Sequence, residues 1–261
     1  MRVTPRQLFG ACAALTDALR FEHPADGVLS AYFREQKLLG ARDRRFVTET
    51  VFAVLRHKRS LTRLIGEPAT PRRLVLAQLV RHAGLSQRAL DGLLEVGEAE
   101  WLAGLKADAG PPLTLAEQAD LPDWLADMLK SRMSDEDLLK LARSLNTGAP
   151  LDLRVNPLKA SREAVLEQLQ TDGFESQAGK LSPLAIRLRT KPALTRYPLY
   201  QQGQIEVQDE GSQLLAYLVA PKRGEMVVDF CAGAGGKTLL LGALMRSTGR
   251  LYAFDVAEKR L

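Results

Sequence analysis

Met226-Val227-Val228-Asp229-Phe230 runs directly into Cys231-Ala232-Gly233-Ala234-Gly235-Gly236-Lys237-Thr238. An apolar run and Ser247-Thr248-Gly249 follow, and then Leu251-Tyr252-Ala253-Phe254-Asp255. The pattern predicts a β-branched strand, a glycine-rich turn, a helix, a second turn and a second strand ending on an acid. A strand that feeds a glycine turn into a helix N-terminus opens a Rossmann-like nucleotide site. Glycine lets backbone N–H groups approach a ligand closely, and the helix start adds partial positive charge. Asp255 falls where a second strand presents a carboxylate to ribose hydroxyls.

Two ligand chemistries compete for this turn. Gly236-Lys237-Thr238 matches the end of the phosphate-loop pattern, but the first glycine of that pattern falls on Cys231. A phosphate-loop ATPase also leaves Asp255 without a role. S-adenosylmethionine has no phosphates. Its ribose needs a carboxylate such as Asp255, and its methionine end needs close backbone donors such as those of Gly233, Gly235 and Gly236. Asp229 either meets the cofactor's amino group or fixes the loop through backbone bonds. Lys237 is either a solvated charge or a ligand contact.

The strand–turn–helix is preceded by two differently patterned regions. Thr4-Pro5 reads as an N-cap with proline at the first helical position, followed by Leu8, Cys12, Leu15 and Leu19 on one face. A second helix carries Val28, Leu29, Tyr32 and Phe33. A third is predicted from Ala41 to Arg59, with Phe46, Val47, Val51, Val54 and Leu55 inward and Arg42, Arg44, Arg45, Arg56, Lys58 and Arg59 outward. Thr70-Pro71 starts another helix and Gly84 ends it, and Ser86 is placed to cap the next. Ala109-Gly110-Pro111-Pro112 breaks the pattern. Pro122–Met133 and Ser134–Leu145 are predicted as a helix pair with Trp124, Leu125, Met128, Leu138, Leu139 and Leu145 on its apolar side. No strand is predicted through Leu145.

Asn146-Thr147-Gly148-Ala149-Pro150 is the boundary. Beyond it Leu151–Val155 alternates as a strand, Ser161 starts a helix that Gly173 ends, and Ala185–Arg189 alternates again. Tyr197–Gln204 reads as a loop, Ile205–Val207 as a short strand and Asp209–Val219 as a helix.

Composition narrows the class. The 261 residues are 46% hydrophobic and 26% charged, ordinary for a globular protein. No apolar run approaches the roughly 18 residues needed to span a bilayer, and the first residues lack a signal-peptide core, so a cytoplasmic, non-membrane protein is expected. Cys12 and Cys231 do not make a disulfide framework, and with His23, His57 and His82 they offer no metal-ligand spacing, so no metal is expected. Net charge is +5, and residues 1–65 alone carry 12 Lys/Arg against 6 Asp/Glu. A basic first third suits a polyanion, although a solvated helical face gives the same count.

Asp229 through Thr238 resembles the cofactor loop of the RsmB/Sun-type RNA cytosine-5 methyltransferases, whose pattern is Asp-x-Cys-Ala-x-Pro/Ala-Gly-Gly-Lys-Thr. Gln208-Asp209-Glu210-Gly211-Ser212-Gln213 resembles the family's segment before the first core strand. Leu153-Arg154-Val155-Asn156-Pro157-Leu158-Lys159 resembles the start of its small pre-catalytic unit, and Ala41–Arg56 resembles the NusB-like helical domain of its bacterial rRNA members. The resemblance implies an all-α NusB-like RNA-binding domain at 1–148, a small α/β unit at 149–195, and the truncated start of a Rossmann-like class I methyltransferase domain at 196–261. It implies methyl transfer from S-adenosylmethionine to C5 of cytosine in RNA, most specifically 16S rRNA, by a monomer. Cys231, Ala232, Gly233, Ala234, Gly235, Gly236 and Lys237 would line the cofactor, Asp255 would hold the ribose, and Arg42, Arg44 and Arg45 would meet RNA.

The family's chemistry attacks C6 with a cysteine thiolate in a Pro-Cys or Thr-Cys context, which makes C5 able to take a methyl group. Neither Cys12 nor Cys231 stands in such a context. The expectation is therefore a fragment, inactive by itself, whose nucleophile lies beyond Leu261. The reading from a different class is a non-catalytic RNA-binding or assembly protein that keeps the loop as scaffold.

Overall fold

The structure is a computed structural model. It describes residues 2–107 and 110–258, so Ala109 of the predicted break and the chain end at Lys259–Leu261 lie outside the described residues. The chain divides into two compact units, Met1–Thr147 and Gly148–Leu261.

The described residues of the first unit are helical. They form α1 (Pro5–Ala18), α2 (Ala25–Glu35), α3 (Ala41–Arg56), α4 (Lys58–Ile65) and α5 (Pro71–Ala77), then α6 (Glu98–Ala107), α7 (Leu115–Ala119), α8 (Asp123–Lys130) and α9 (Asp135–Asn146). At the start of α1 the Thr4 hydroxyl accepts from the Gln7 N–H while the Gln7 side chain accepts from the Thr4 N–H, and Pro5 fills the first helical position. Leu8, Leu15, Val47, Val51, Val54, Leu61 and Leu74 bury fully or nearly so around this helix, and Cys12 packs against them. Thr70 caps α5, which runs into a π-helical turn at Gln78–His82 before Gly84 ends it. Ser86 precedes a 3₁₀ turn, Gln87–Leu90, but its side chain makes no cap bond.

Two predictions here need correction. The helix from Ala41 stops at Arg56 and restarts at Lys58, with His57 between. The cause is tertiary: Asp120, 60 residues away, accepts from the Ser60 N–H at 2.8 Å and the Ser60 hydroxyl at 2.9 Å, and lies 3.1 Å from the His57 ring. A carboxylate at a helix start satisfies donors that the helix itself cannot. Likewise, the α8–α9 pair buries Ala126, Leu138 and Ala142, whereas Trp124, Met128 and Leu145 are exposed. Leu138 and Leu139 lie in the core as expected, but Ala126 takes the buried place on α8 that the pattern gave to Trp124 and Met128.

The second unit begins with β1 (Leu151–Val155), α10 (Arg162–Thr171), β2 (Ser176–Ala178), β3 (Ala185–Leu188), a one-turn helix α11 (Pro198–Gln201) and β4 (Ile205–Val207). They form an antiparallel sheet in the order β2-β3-β1-β4, a split β-α-β arrangement. Leu153, Val155, Ile186, Leu188 and Ile205 close its core against Val165 and Leu169 of α10. Because β4 pairs with β1, the sheet crosses the expected domain edge at 195/196. The edge strand β2, short and polar, is not among the predicted elements.

The chain continues through α12 (Glu210–Val219), β5 (Met226–Asp229), α13 (Gly236–Leu244) and β6 (Arg250–Ala253). β5 and β6 pair in parallel from Met226↔Arg250 to Asp229↔Ala253, and Ala216, Leu240 and Leu241 pack the two helices together. Gly249 at φ +90° allows the close turn into β6, since a Cβ there would lie 2.3 Å from the Glu225 carbonyl.

Candidate cofactor site

The loop between β5 and α13 is held from three sides. The N–H of Phe254 donates to the Asp229 carbonyl and the N–H of Ala232 to the Phe254 carbonyl, both at 2.8 Å, so the chain past β6 is stitched to the loop. The Asp229 carboxylate accepts from the Thr238 hydroxyl at 2.6 Å, spanning the loop from its first residue to the first turn of α13. The bond comes from a side chain and not from the loop's backbone, so it ties α13 to β5 without deciding between the two readings of Asp229. Gly233 at φ +55° and Gly235 at φ +79° supply backbone conformations that L side chains rarely adopt.

Asp255 lies two residues beyond the end of β6. Its Oδ2 accepts from the Gly233 N–H at 2.8 Å and its Oδ1 from the Ala257 N–H at 2.8 Å. The acid thus faces the glycine loop, as the spacing predicts, and it also helps to shape that loop.

The first turn of α13 has the opposite character. The N–H groups of Ala234, Gly236, Lys237 and Thr238 donate to no protein acceptor among the described residues. Open donors at a helix start, within a loop that ends on a carboxylate, suit a ligand with one anionic end and vicinal hydroxyls. The donor set therefore fits S-adenosylmethionine, whose bound form supplies an electrophilic methyl group. Cys231, Ala234 and Lys237 are exposed on the loop and Ala232 is buried beneath it. Lys237 is near enough to help hold the Asp209 carboxyl below its ordinary range, although bonding to Ser212 is the larger cause.

The segment Gln208–Gln213 anchors this site to the antiparallel sheet. Asp209 caps α12 by accepting from the Ser212 N–H at 2.9 Å. Glu210 takes the N–H groups of Leu181 and Ser182 at 2.7 and 2.9 Å, and the fully buried Gln213 donates to the carbonyls of Leu153 and Gln208. Asp152 on β1 accepts two parallel bonds from Arg187, at 2.7 and 2.8 Å, and another from the Glu210 N–H at 3.2 Å. Arg187 holds its carboxyl below the usual range.

The predicted RNA-facing arginines belong to the first unit and differ from one another. Arg42 is exposed. Arg44 donates to the Leu39 carbonyl at 2.9 Å and lies over the Phe33 ring at 5.6 Å. Arg45 pairs with Glu49 at 2.8 Å. Of the wider basic face, Arg59 is committed to the Leu121 carbonyl and Asp123.

The fold and site define a Rossmann-type cofactor-binding unit appended to a small antiparallel α/β sheet. A ferredoxin-like domain model of the RsmF/B-like methyltransferases matches residues 121–195, and the 16S rRNA methyltransferase RsmB/F family model matches residues 216–261. A probable ribosomal RNA small subunit methyltransferase B of Synechocystis is 31% identical over 246 residues, covering 82% of this chain and 55% of the relative. A 28S rRNA (cytosine-C(5))-methyltransferase of Mus musculus is 35% identical over 130 residues, covering 43% of this chain and 28% of the relative. The crystal structure of PH0851 shares the fold with a TM-score of 0.71 at 24% identity, covering 100% of this chain and 65% of that one. The chain is thus similar to the RsmB/F methyltransferases in both matched stretches, and it spans about half the length of the Synechocystis relative and less of the mouse one.

Proposed function

We propose that this chain is the RNA- and cofactor-binding part of an enzyme that transfers a methyl group from S-adenosylmethionine to C5 of cytosine in 16S rRNA. The observation that carries the reading is the pairing of Asp255 with the glycine loop beside open N–H donors of α13. Cys231 through Lys237 line the cofactor and Asp255 holds its ribose. The helical residues 1–148 act as a NusB-like RNA-binding domain, supported by the basic balance of residues 1–65. Phosphate contacts from Arg42, Arg44 and Arg45 contribute affinity independent of sequence. The small α/β unit extends from 149 to 207, to include β4. The enzyme acts in the cytoplasm as a monomer without a metal.

The attacking thiolate is placed in the part of the relatives' length that this chain does not span. Cys12 is unsuited to the role, because burial pushes its thiol up to about 11 and leaves it protonated at neutral pH. Cys231 belongs to the cofactor loop.

The test is methyl transfer by the full-length protein to 16S rRNA with labelled S-adenosylmethionine, the product mapped as 5-methylcytosine. Binding of ATP in place of S-adenosylmethionine, or labelled product at a base other than cytosine, overturns the reading.

A further inference from the structure

Arg154 lies on β1 and is 2% exposed. Its register partner on β4 is Glu206, with which it forms an ion pair. A second nitrogen, Nη1, leaves the sheet and donates to the carbonyl of Gly236 at 2.7 Å. A buried guanidinium is costly to desolvate, and a leucine at this sheet position would avoid that cost. The direction of the side chain shows what the charge reaches: the first residue of α13, whose own N–H and those of the next two residues are among the open donors of the site. Burial pushes the Glu206 carboxyl up against the opposing pull of Arg154 and Lys159, while the guanidinium stays protonated.

A second residue supports the same turn. Gln208 is 8% exposed, and its Nε2 lies 3.5 Å from the place a Cβ on Gly236 would occupy. Its Oε1 is buried without a partner among the described residues. The Gln208 backbone is fixed on both sides, its N–H donating to the Asp152 carbonyl at 3.1 Å and its carbonyl accepting from Gln213 at 3.0 Å. The floor beneath Gly236 is therefore built from β1 and the β4–α12 junction, outside the glycine motif.

We propose that Arg154 is a positioning residue of the cofactor site, holding the first turn of α13 so that its N–H groups stay aimed at the amino-acid end of the cofactor. The inference rests on the methyltransferase reading above. It makes the antiparallel sheet part of the cofactor site's construction. Glu206 balances the buried charge, so the effect of Arg154 is orientation more than added positive potential.

The test compares two ligands on the full-length protein by calorimetry. S-adenosylhomocysteine carries the amino-acid end, and 5′-methylthioadenosine lacks it but keeps the adenosine and thioether. Arg154→Met is expected to weaken S-adenosylhomocysteine about tenfold, the scale of one hydrogen bond, and to leave 5′-methylthioadenosine within about twofold. A merely structural role lowers both affinities together. Arg154→Lys keeps the charge and one donor, and is expected to show the same selective loss at about threefold; it carries the test if the Met variant does not fold. Equal losses for the two ligands, or no loss for either, overturn the inference and leave the methyltransferase reading intact. Wild-type protein that binds neither ligand overturns both.

Discussion

Gly233 and Asp255, 22 residues apart, are joined by a hydrogen bond of 2.8 Å from the loop N–H to the carboxylate. The glycine turn and the acid are therefore one construction, and a ligand that bonds Asp255 also meets a loop whose shape Asp255 sets. Asp255→Ala is expected to raise the dissociation constant for S-adenosylmethionine about ten- to hundredfold, the range for bonds to charged groups. Calorimetry on the full-length protein measures it, and an unchanged constant removes the ribose role.

The bond from Thr238 to Asp229 makes a separate prediction about stability. Thr238→Val keeps the shape and removes the donor to a partly buried carboxylate. A loss of about 1–3 kcal/mol is expected, read from the denaturant midpoint. Thr238→Ser, which keeps the hydroxyl, should stay near wild type. A loss in the serine variant with the valine variant near wild type would show that the methyl group, and not the bond, matters.

Asp152 and Arg187 form a second ion pair of the antiparallel sheet, with the Asp152 side chain 4% exposed and that of Arg187 36%. Asp152→Ala removes the buried carboxylate, while Arg187, partly exposed, keeps Glu210 at 3.8 Å, so about 1–3 kcal/mol of stability should be lost. The pair also predicts a pH dependence. The folded carboxyl lies below the ordinary aspartate value of 3.8, so the native state binds fewer protons than the unfolded chain in that window. Its contribution is complete above 3.8 and fades as pH falls through the depressed folded value. Wild type should therefore lose stability more steeply than Asp152→Asn on acidification below about pH 4. Parallel curves for the two proteins would refute the assignment.

The arginines of α3 predict a graded effect on RNA. Changing Arg42, Arg44 and Arg45 together to Ala should flatten the salt dependence of binding, each lost phosphate contact lowering the slope by about 0.7–0.9. Arg42 alone should account for most of it, since Arg45 is paired with Glu49 and Arg44 is held by Leu39 and Phe33. Arg44→Ala should also lower the melting temperature. Filter binding across a salt series tests this, and an unaltered slope in the triple variant would exclude the helix from the phosphate contacts.

What was legible in the sequence follows from where the signal lies along the chain. Thr4, Thr70, Ser134, Ser161 and Asp209 act within three residues of themselves, and their caps are where the pattern places them. The glycine loop and Asp255 were legible because spacing alone relates them. The break at His57 was not, because its cause is Asp120, far along the chain. Alternation along Leu151–Val155 located β1 but misjudged its polar positions: Asp152 and Arg154 are both buried, each with a charged partner on a neighbouring strand. Hydrophobic periodicity cannot tell a paired, buried charge from a solvated one. The same limit hid Arg154 beneath the cofactor loop.

The two partners of Arg154 carry a consequence for biosynthesis. Glu206 follows it by 52 residues and Gly236 by 82. As the polypeptide leaves the ribosome, β1 emerges with a cation whose final neighbours do not yet exist. Its hydrophobic surroundings can close without penalty only after Glu206 has been added, and its last bond waits for Gly236. At roughly 5–20 residues per second, that interval lasts on the order of several seconds. Arg154 is best kept solvated until then, so native closure of the antiparallel sheet follows the synthesis of β4, and the bond to the first turn of α13 is added last.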